Sequence, residues 1–131
     1  MKVHAVRLKP GQDLKLALQD YVKENKIKAG FILSCAGSLS KASLRFADET
    51  HRQVTFDFEI ITVSGTLSQD GLHLHMAVSD REGKVTGGHV KQGCIIKTTA
   101  EIILGEDESK IFSREFDFET KFKELRISGR G

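Results

Sequence analysis

The feature that most constrains the fold is a change in hydrophobic spacing near residue 30. Beyond it, apolar residues recur at every second position or in short runs, as in VTFDFEI over 54–60, which places Val54, Phe56, Phe58 and Ile60 on one face. Successive side chains of a β-strand point to opposite faces, so this spacing predicts strands. The predicted strands, including one near the N-terminus, cover residues 3–8, 30–37, 41–47, 54–60 continuing to 67, 72–78, 95–104 and 111–118.

One segment before residue 30 has helical spacing instead. Its apolar residues recur three and four positions apart and are Leu14, Ala17, Leu18, Tyr21 and Val22. That spacing gives a helix one apolar face. Asp13 is a suitable N-cap, and we predict a helix from there to about Lys28, with Gly30 as the stop signal.

One helix followed by many closely connected strands predicts an α+β fold. We expect a strongly curved, mostly antiparallel β-sheet with the helix packed on one face. The 131 residues suit a single domain over 1–131, with a core of about 3–120 and a short polar C-terminal tail. Strand 95–104 is apolar on both faces, and one helix cannot cover so much surface. We therefore expect a homo-oligomer.

Charge, hydropathy and cysteine content exclude several classes of protein. The net charge is +2, with acidic and basic residues interleaved, so charge alone does not indicate a DNA-binding domain. No apolar run approaches the ~20 residues needed to span a membrane. The N-terminus lacks the apolar core of a signal peptide, and we expect an intracellular protein. Cys35 and Cys94 are predicted to be free, buried and unreactive.

The segment GLHLHMAVSDREGKVTGGHV, over 71–90, contains the one pattern that points to chemistry. Alternate residues of a strand lie on one face roughly 6.5–7 Å apart, so His73 and His75 point the same way. Residues 79–84 resemble a hairpin turn, and the double glycine before His89 allows close backbone approach. Three converging imidazoles with no obvious fourth ligand describe an open metal site, for which zinc is the default.

Other interpretations of these residues stay open at this point. Two histidines on the solvent face of a strand need no ion, and Gly87–Gly88 can simply mark a turn. His4 and His51 lack a partner pattern and are interpreted as surface or hydrogen-bonded histidines. The serines near glycine do not form a nucleophile elbow, and no glycine-rich segment matches a phosphate loop or dinucleotide motif.

The order of several motifs resembles the plants and prokaryotes conserved (PPC) domain family over roughly residues 3–120. The matching pieces are LKPGQDL, GFILSCAGSLSKASLR, FEIITVSGTLS, GLHLHMAVSDREGKVTGGHV and AEIILGE. The resemblance implies an α+β fold assembled as a homotrimer. It also implies a metal site at His73, His75 and His89, which are all present. Around such a site, Glu59 is a candidate to orient bound water and Arg45 to hold an anion.

The resemblance leaves two kinds of function to distinguish. One is a trimeric regulatory module that binds DNA or other proteins. Plant members carry an AT-hook for DNA, but the tail RISGRG lacks the R-G-R-P core of that motif. The other is a metal-dependent enzyme or small-molecule sensor that uses an open three-histidine zinc site. A metal that only braces the strand ends would have a structural role instead, and its removal would lower the thermal stability. We expect a cytoplasmic location, or a nuclear one for a eukaryotic source.

Overall fold

The structure is a computed structural model and describes residues 1–130; Gly131, the last residue of the predicted tail, lies outside the described residues. In chain order the elements are β1 (Lys2–Leu8), α1 (Leu14–Glu24), β2 (Gly30–Arg45), β3 (His51–Val54), β4 (Phe58–Ser68), β5 (Gly71–Ser79), β6 (Val85–Val90), β7 (Ile95–Glu106), β8 (Lys110–Phe116) and β9 (Lys123–Gly129). The predicted α+β class, with one helix and an antiparallel sheet, is confirmed.

The main sheet has seven strands in the order β1-β7-β2-β4-β5-β6, with β3 paired to β2. All described pairings are antiparallel. β2 also pairs with β6 through Leu44–Val90 and Arg45–His89. The strands β2, β4, β5 and β6 therefore close on themselves, which is the strong curvature that the sequence predicts.

Strand β2 is longer than predicted. The sequence predicts two strands, 30–37 and 41–47, joined by a tight turn, but one strand runs from Gly30 to Arg45. Its register with β7 shifts near Leu33, near Ser38 and near Ser40. Such bulges bend a strand without ending it. The bends allow the end of β2 to leave β7 and reach β6.

The predicted strand 54–60 is interrupted. Ala42 pairs with Val54 and Leu39 with Phe58, so three residues (55–57) face two on β2. The extra residue shifts the register by one position, and such a shift reverses which side chains face the core. Phe56, predicted to share a face with Phe58, lies in this interruption and is 61% exposed, whereas Phe58 is buried.

The helix packs on the inner face of the sheet through Leu14, Leu18 and Val22. Asp13 caps it as predicted, accepting a hydrogen bond from the Leu16 backbone N–H at 3.1 Å. The helix ends at Glu24, before the predicted Lys28, because Lys26 adopts a left-handed conformation with φ +53°. The chain then turns Ile27 into the core, where it is fully buried.

Residues 123–129, which the sequence predicts to be a polar tail, form strand β9. β9 pairs with β8 along its whole length in a separate two-stranded sheet. Asp117 starts the connection between them by accepting backbone hydrogen bonds from Glu119 and Thr120. We call this unit, residues 110–129, the C-terminal hairpin. It folds back toward the start of β5, where the Arg114 backbone N–H donates to Asp70 Oδ2 at 3.0 Å.

Candidate metal centre

His73 and His75 lie on the outer face of β5, away from the helix. The residues that alternate with them, Leu74 and Met76, are buried in the core. In the antiparallel register, His75 stands directly opposite His89 of β6, and His73 stands opposite Thr66 of β4. The predicted turn lies at Asp80–Lys84 and returns the chain so that all three histidines meet.

The three imidazole rings converge on one point. Their centroids are 5.0 Å apart for His73 and His75, 5.3 Å for His73 and His89, and 5.7 Å for His75 and His89. One ring nitrogen from each lies within 4.8 Å of the other two. In a tetrahedral zinc site the ligand nitrogens stand about 3.4 Å apart, so small ring rotations separate this arrangement from a zinc geometry.

One nitrogen in the cluster lacks a hydrogen-bond partner. His89 Nδ1 is buried and makes no hydrogen bond with any described residue. A buried polar atom without a partner costs roughly 1–3 kcal/mol in folding free energy, so it calls for an explanation. A metal ion bound at this nitrogen would satisfy it. The donor set of three imidazoles suits zinc and its neighbours among the transition metals.

The local electrostatics favour the neutral form of two of the rings, those of His73 and His89. Burial and the nearby Arg45 guanidinium lower the pKa of His89 to about 4. Burial and Arg114 also lower the pKa of His73. At neutral pH both rings are therefore unprotonated and have a lone pair for a metal ion, because only the neutral imidazole can be a ligand.

The two glycines before His89 let β6 lie close to its neighbours. A Cβ at Gly88 would be 2.7 Å from the carbonyl oxygen of Arg45, and a Cβ at Gly87 would be 2.8 Å from that of Met76. Any larger residue would push β6 away from β2 or β5. The glycines lie inside β6 and not in a turn, and they bring His89 to its partners.

Arg45 lies beside the cluster, but Glu59 does not. Arg45 pairs with His89 in the β2–β6 register and lines the cavity next to the histidines. Glu59 lies near the start of β4, opposite Ser38 and Ser79. It lines a separate cavity of about 520 Å³ with Asp57, Arg81 and Lys97, among others. The structure therefore does not bring Glu59 to the histidines.

Within that separate cavity, Asp57 already has two cationic partners. Asp57 accepts hydrogen bonds from Arg81 and forms an ion pair with Lys97 at 2.8 Å. These two cations hold the pKa of Asp57 below its usual range. Both cations of that cavity are therefore already paired, whereas the two arginines of the cavity beside the histidines have no carboxylate partner among residues 1–130.

The histidines open into a cavity of about 590 Å³ between the sheet and the C-terminal hairpin. Besides the histidines, its charged lining residues are Arg45, Glu49, Asp70, Arg114, Lys123 and Glu124. The last three come from the hairpin and are not among the residues that the sequence singles out. The return of the hairpin to the sheet rests on contacts between residues distant in sequence, such as Arg114 Nη2 donating to Thr66 Oγ1 at 2.8 Å.

The remaining histidines and the cysteines have structural partners. His4 is buried and contacts Tyr21 Oη and Glu106, each at 3.1 Å. His51 is exposed, and its Nε2 lies 2.7 Å from Ser43 Oγ. Cys35 and Cys94 are free and buried, as predicted, and burial raises the pKa of each thiol to about 11. No helix among residues 1–130 combines the length and hydropathy required to span a membrane.

Residues 1–108 match the Plants and Prokaryotes Conserved (PCC) domain. The chain belongs to this family. The resemblance that the sequence motifs indicate is thereby confirmed, and PCC is the same family under a variant abbreviation. The matched region contains the three histidines and Arg45, whereas the whole C-terminal hairpin lies beyond it.

Relatives of this PCC protein occur alone and within longer proteins. A hypothetical protein from Salmonella cholerae-suis is 41% identical and superposes with a TM-score of 0.96, over 98% of this chain and 94% of that one. The Bifunctional protein GlmU of Synechococcus sp. strain JA-3-3Ab is 46% identical over 128 residues. Those residues are 97% of this chain, but the chain spans only about a fifth of that relative's length.

More distant solved structures share the fold. A metal-containing protein from Archaeoglobus fulgidus is 24% identical, with a TM-score of 0.80 over 96% of this chain and 94% of that one. A candidate DNA-binding protein from Bacteroides thetaiotaomicron is 23% identical, with a TM-score of 0.82 over 95% of this chain and 91% of that one. At this level of identity the likeness concerns the fold of the PCC domain.

Proposed function

We propose that this PCC protein binds one zinc-class divalent ion per chain at His73, His75 and His89. The convergence of the three rings carries the proposal, because each offers a nitrogen within 4.8 Å of the others. The unpartnered His89 Nδ1 supports it independently. The fold-level likeness to a metal-containing archaeal protein is consistent with such a site but does not carry the argument.

Three neutral ligands leave a coordination position for water or for a ligand atom. A zinc ion held this way acts as a Lewis acid and makes its bound water more acidic. His73 and His75 are exposed, and the cavity of about 590 Å³ gives a small molecule access to them. We infer that the site serves a metal-dependent reaction or the sensing of a small molecule. A metal that only braced the strands would not need this access.

The metal proposal predicts a defined zinc stoichiometry. Protein stripped with a chelator and titrated with zinc against a chromophoric competitor should take up one equivalent per chain. The cobalt(II) form should give the intense visible absorption of a tetrahedral ion, because three imidazoles and one water favour that geometry. Uptake well below one equivalent, or an octahedral cobalt spectrum, would contradict the proposal.

We also propose that the protein is a homotrimer. Two large apolar side chains, Leu33 and Ile61, are 46% and 53% exposed, and each lies at a shift in strand register. Val85, at the start of β6, is 58% exposed. Apolar side chains at sheet positions without a partner favour burial against another copy of the chain.

The trimer predicts a mass in solution three times the 14.6 kDa of one chain. Light scattering coupled to size exclusion measures this mass. Ile61→Asp would place a charge at the proposed contact and should shift the mass toward that of one chain. A wild-type mass of 14.6 kDa would contradict the assembly.

DNA binding is the second candidate function, with a regulatory role through DNA or protein partners. It is supported by the mildly basic sequence pI of about 8.6 and by the shared fold with a candidate DNA-binding protein. Binding through phosphate contacts should weaken steeply between about 50 and 200 mM salt, because counterions are released. Anisotropy of labelled duplex DNA measures it, and a flat salt response would eliminate this function. We propose a cytoplasmic location for the protein, whether it functions through the metal site or through DNA.

A further inference from the structure

We propose that the cavity beside the histidines binds a small molecule through an oxyanion group, a carboxylate or a phosphate, held by Arg45 and Arg114. The inference rests on the proposed metal site and names its class of ligand. One oxygen of the group would occupy the open position on the metal, and the two guanidinium groups would hold the remaining oxygens.

The first observation is that both arginines lack a carboxylate partner. Among residues 1–130, four other cations form ion pairs with acidic side chains, but Arg45 and Arg114 do not. Both arginines are partly buried, and partial burial of an unpaired guanidinium has a desolvation cost. A ligand oxyanion would remove that cost, because the planar fork of arginine matches carboxylate and phosphate geometry.

The second observation is that Arg114 is held both at its backbone and at its guanidinium group. Its backbone N–H donates to Asp70 Oδ2 at 3.0 Å, and its Nη2 donates to Thr66 Oγ1 at 2.8 Å. Thr66 is the residue directly opposite His73 in the sheet. A guanidinium group has five N–H donors, and most of those on Arg114 remain available beside the histidines. Arg45 lines the same cavity from β2, where it pairs with His89 in the strand register.

The acidic residues of the cavity do not cancel this arrangement. Asp70 already accepts a hydrogen bond from the Arg114 backbone, while Glu49 and Glu124 are exposed. The cavity side chains alone balance, with Lys123 as the third cation. A divalent ion on three neutral imidazoles adds two positive charges, so the loaded site attracts an anion.

The size and remaining lining of the cavity leave room for the organic part of a small molecule beside its oxyanion group. Its volume of about 590 Å³ falls within the roughly 300–1,000 Å³ typical of small-molecule sites. Leu72 and Phe122 supply apolar surface beside the charged groups. Phe122 and Arg114 belong to the C-terminal hairpin, which lies beyond the matched PCC region. The hairpin would therefore set which oxyanion-bearing molecule this protein accepts.

The test is calorimetric titration of zinc-loaded protein, freed of excess metal, with inorganic phosphate in one arm and succinate in the other. We expect at least one of them to bind at one site per chain, and the responding arm identifies the oxyanion. Arg45→Gln and Arg114→Gln should each weaken binding at least tenfold while the zinc content stays at one per chain. Arg126→Gln, which removes a hairpin arginine paired with Glu115, is the matched control and should bind like the wild type.

The outcomes separate this inference from the metal proposal. Protein that holds one zinc per chain but binds neither anion overturns the oxyanion site alone. Anion binding that is equally strong in the Arg45, Arg114 and Arg126 variants also overturns it, since the arginines would then play no part. Protein that takes up no zinc overturns the metal proposal and this inference together.

Discussion

His75→Ala should abolish stoichiometric zinc binding while leaving the protein folded. His75 is the central ligand, next to His73 on its own strand and opposite His89 on the neighbouring strand. Its removal leaves two imidazoles, which cannot hold the ion against competing water. We expect the zinc affinity to fall by more than ~100-fold, above the loss usual when only a hydrogen-bond partner of a ligand is removed. Elemental analysis of the purified variant should find less than about a tenth of a zinc ion per chain.

The matched control for this loss is His51→Ala. His51 is also an exposed strand histidine, but it lies on β3 and contacts Ser43. Its removal should leave the zinc content at one per chain. Both variants should unfold within roughly 0.5 kcal/mol of the apoprotein, because neither removes core packing. Equal zinc content in the two variants would contradict the assignment of the site.

Gly65→Ala should strongly destabilise the protein, and by more than Gly71→Ala. Gly65 has φ +142°, and an added Cβ would lie 1.9 Å from the carbonyl oxygen of His73. The backbone conformation alone costs an alanine about 1–3 kcal/mol, and the clash adds a similar amount. We expect a loss of about 4 kcal/mol in unfolding free energy and a fall of about 15 °C in the melting temperature.

Gly71→Ala separates the two contributions to this loss. Gly71 has nearly the same φ, +141°, but a Cβ there would meet no atom within 4 Å. It should cost only the backbone contribution of about 1–3 kcal/mol. Because Gly65 lies opposite Leu74, between the two histidines of β5, Gly65→Ala should also weaken zinc binding, whereas Gly71→Ala should not. Equal melting temperatures for the two variants would show that the close β4–β5 approach is not required.

The sequence predicts the parts of this fold that depend on local periodicity. The Asp13 cap, the buried positions of the helix and the alternation in β5 all follow from spacing within a few residues. The strand register is different, because bulges such as the one at 55–57 change which side chains face the core without changing the pattern. This is why the alternation predicts the wrong face for Phe56 and why the sequence predicts two strands where β2 is one.

The same distinction applies to the candidate site. The spacing of His73 and His75 within one strand is visible in the sequence, and the double glycine before His89 is a local signal for close approach. Glu59 belongs to the same strand as the partners of these histidines but lies several residues away, opposite Ser79. Arg114 lies on the C-terminal hairpin and reaches the site through Thr66 and Asp70. No local pattern in the sequence indicates that the C-terminal hairpin returns to the sheet. The sequence alone therefore does not place Arg114 beside the histidines.

The most direct test of the metal centre is an anomalous difference map at the zinc absorption edge, from crystals of the zinc-loaded protein. We predict one strong peak per chain, about 2.0–2.1 Å from one nitrogen each of His73, His75 and His89. A map with no peak at this point, or with the three rings turned apart toward solvent, would contradict the account.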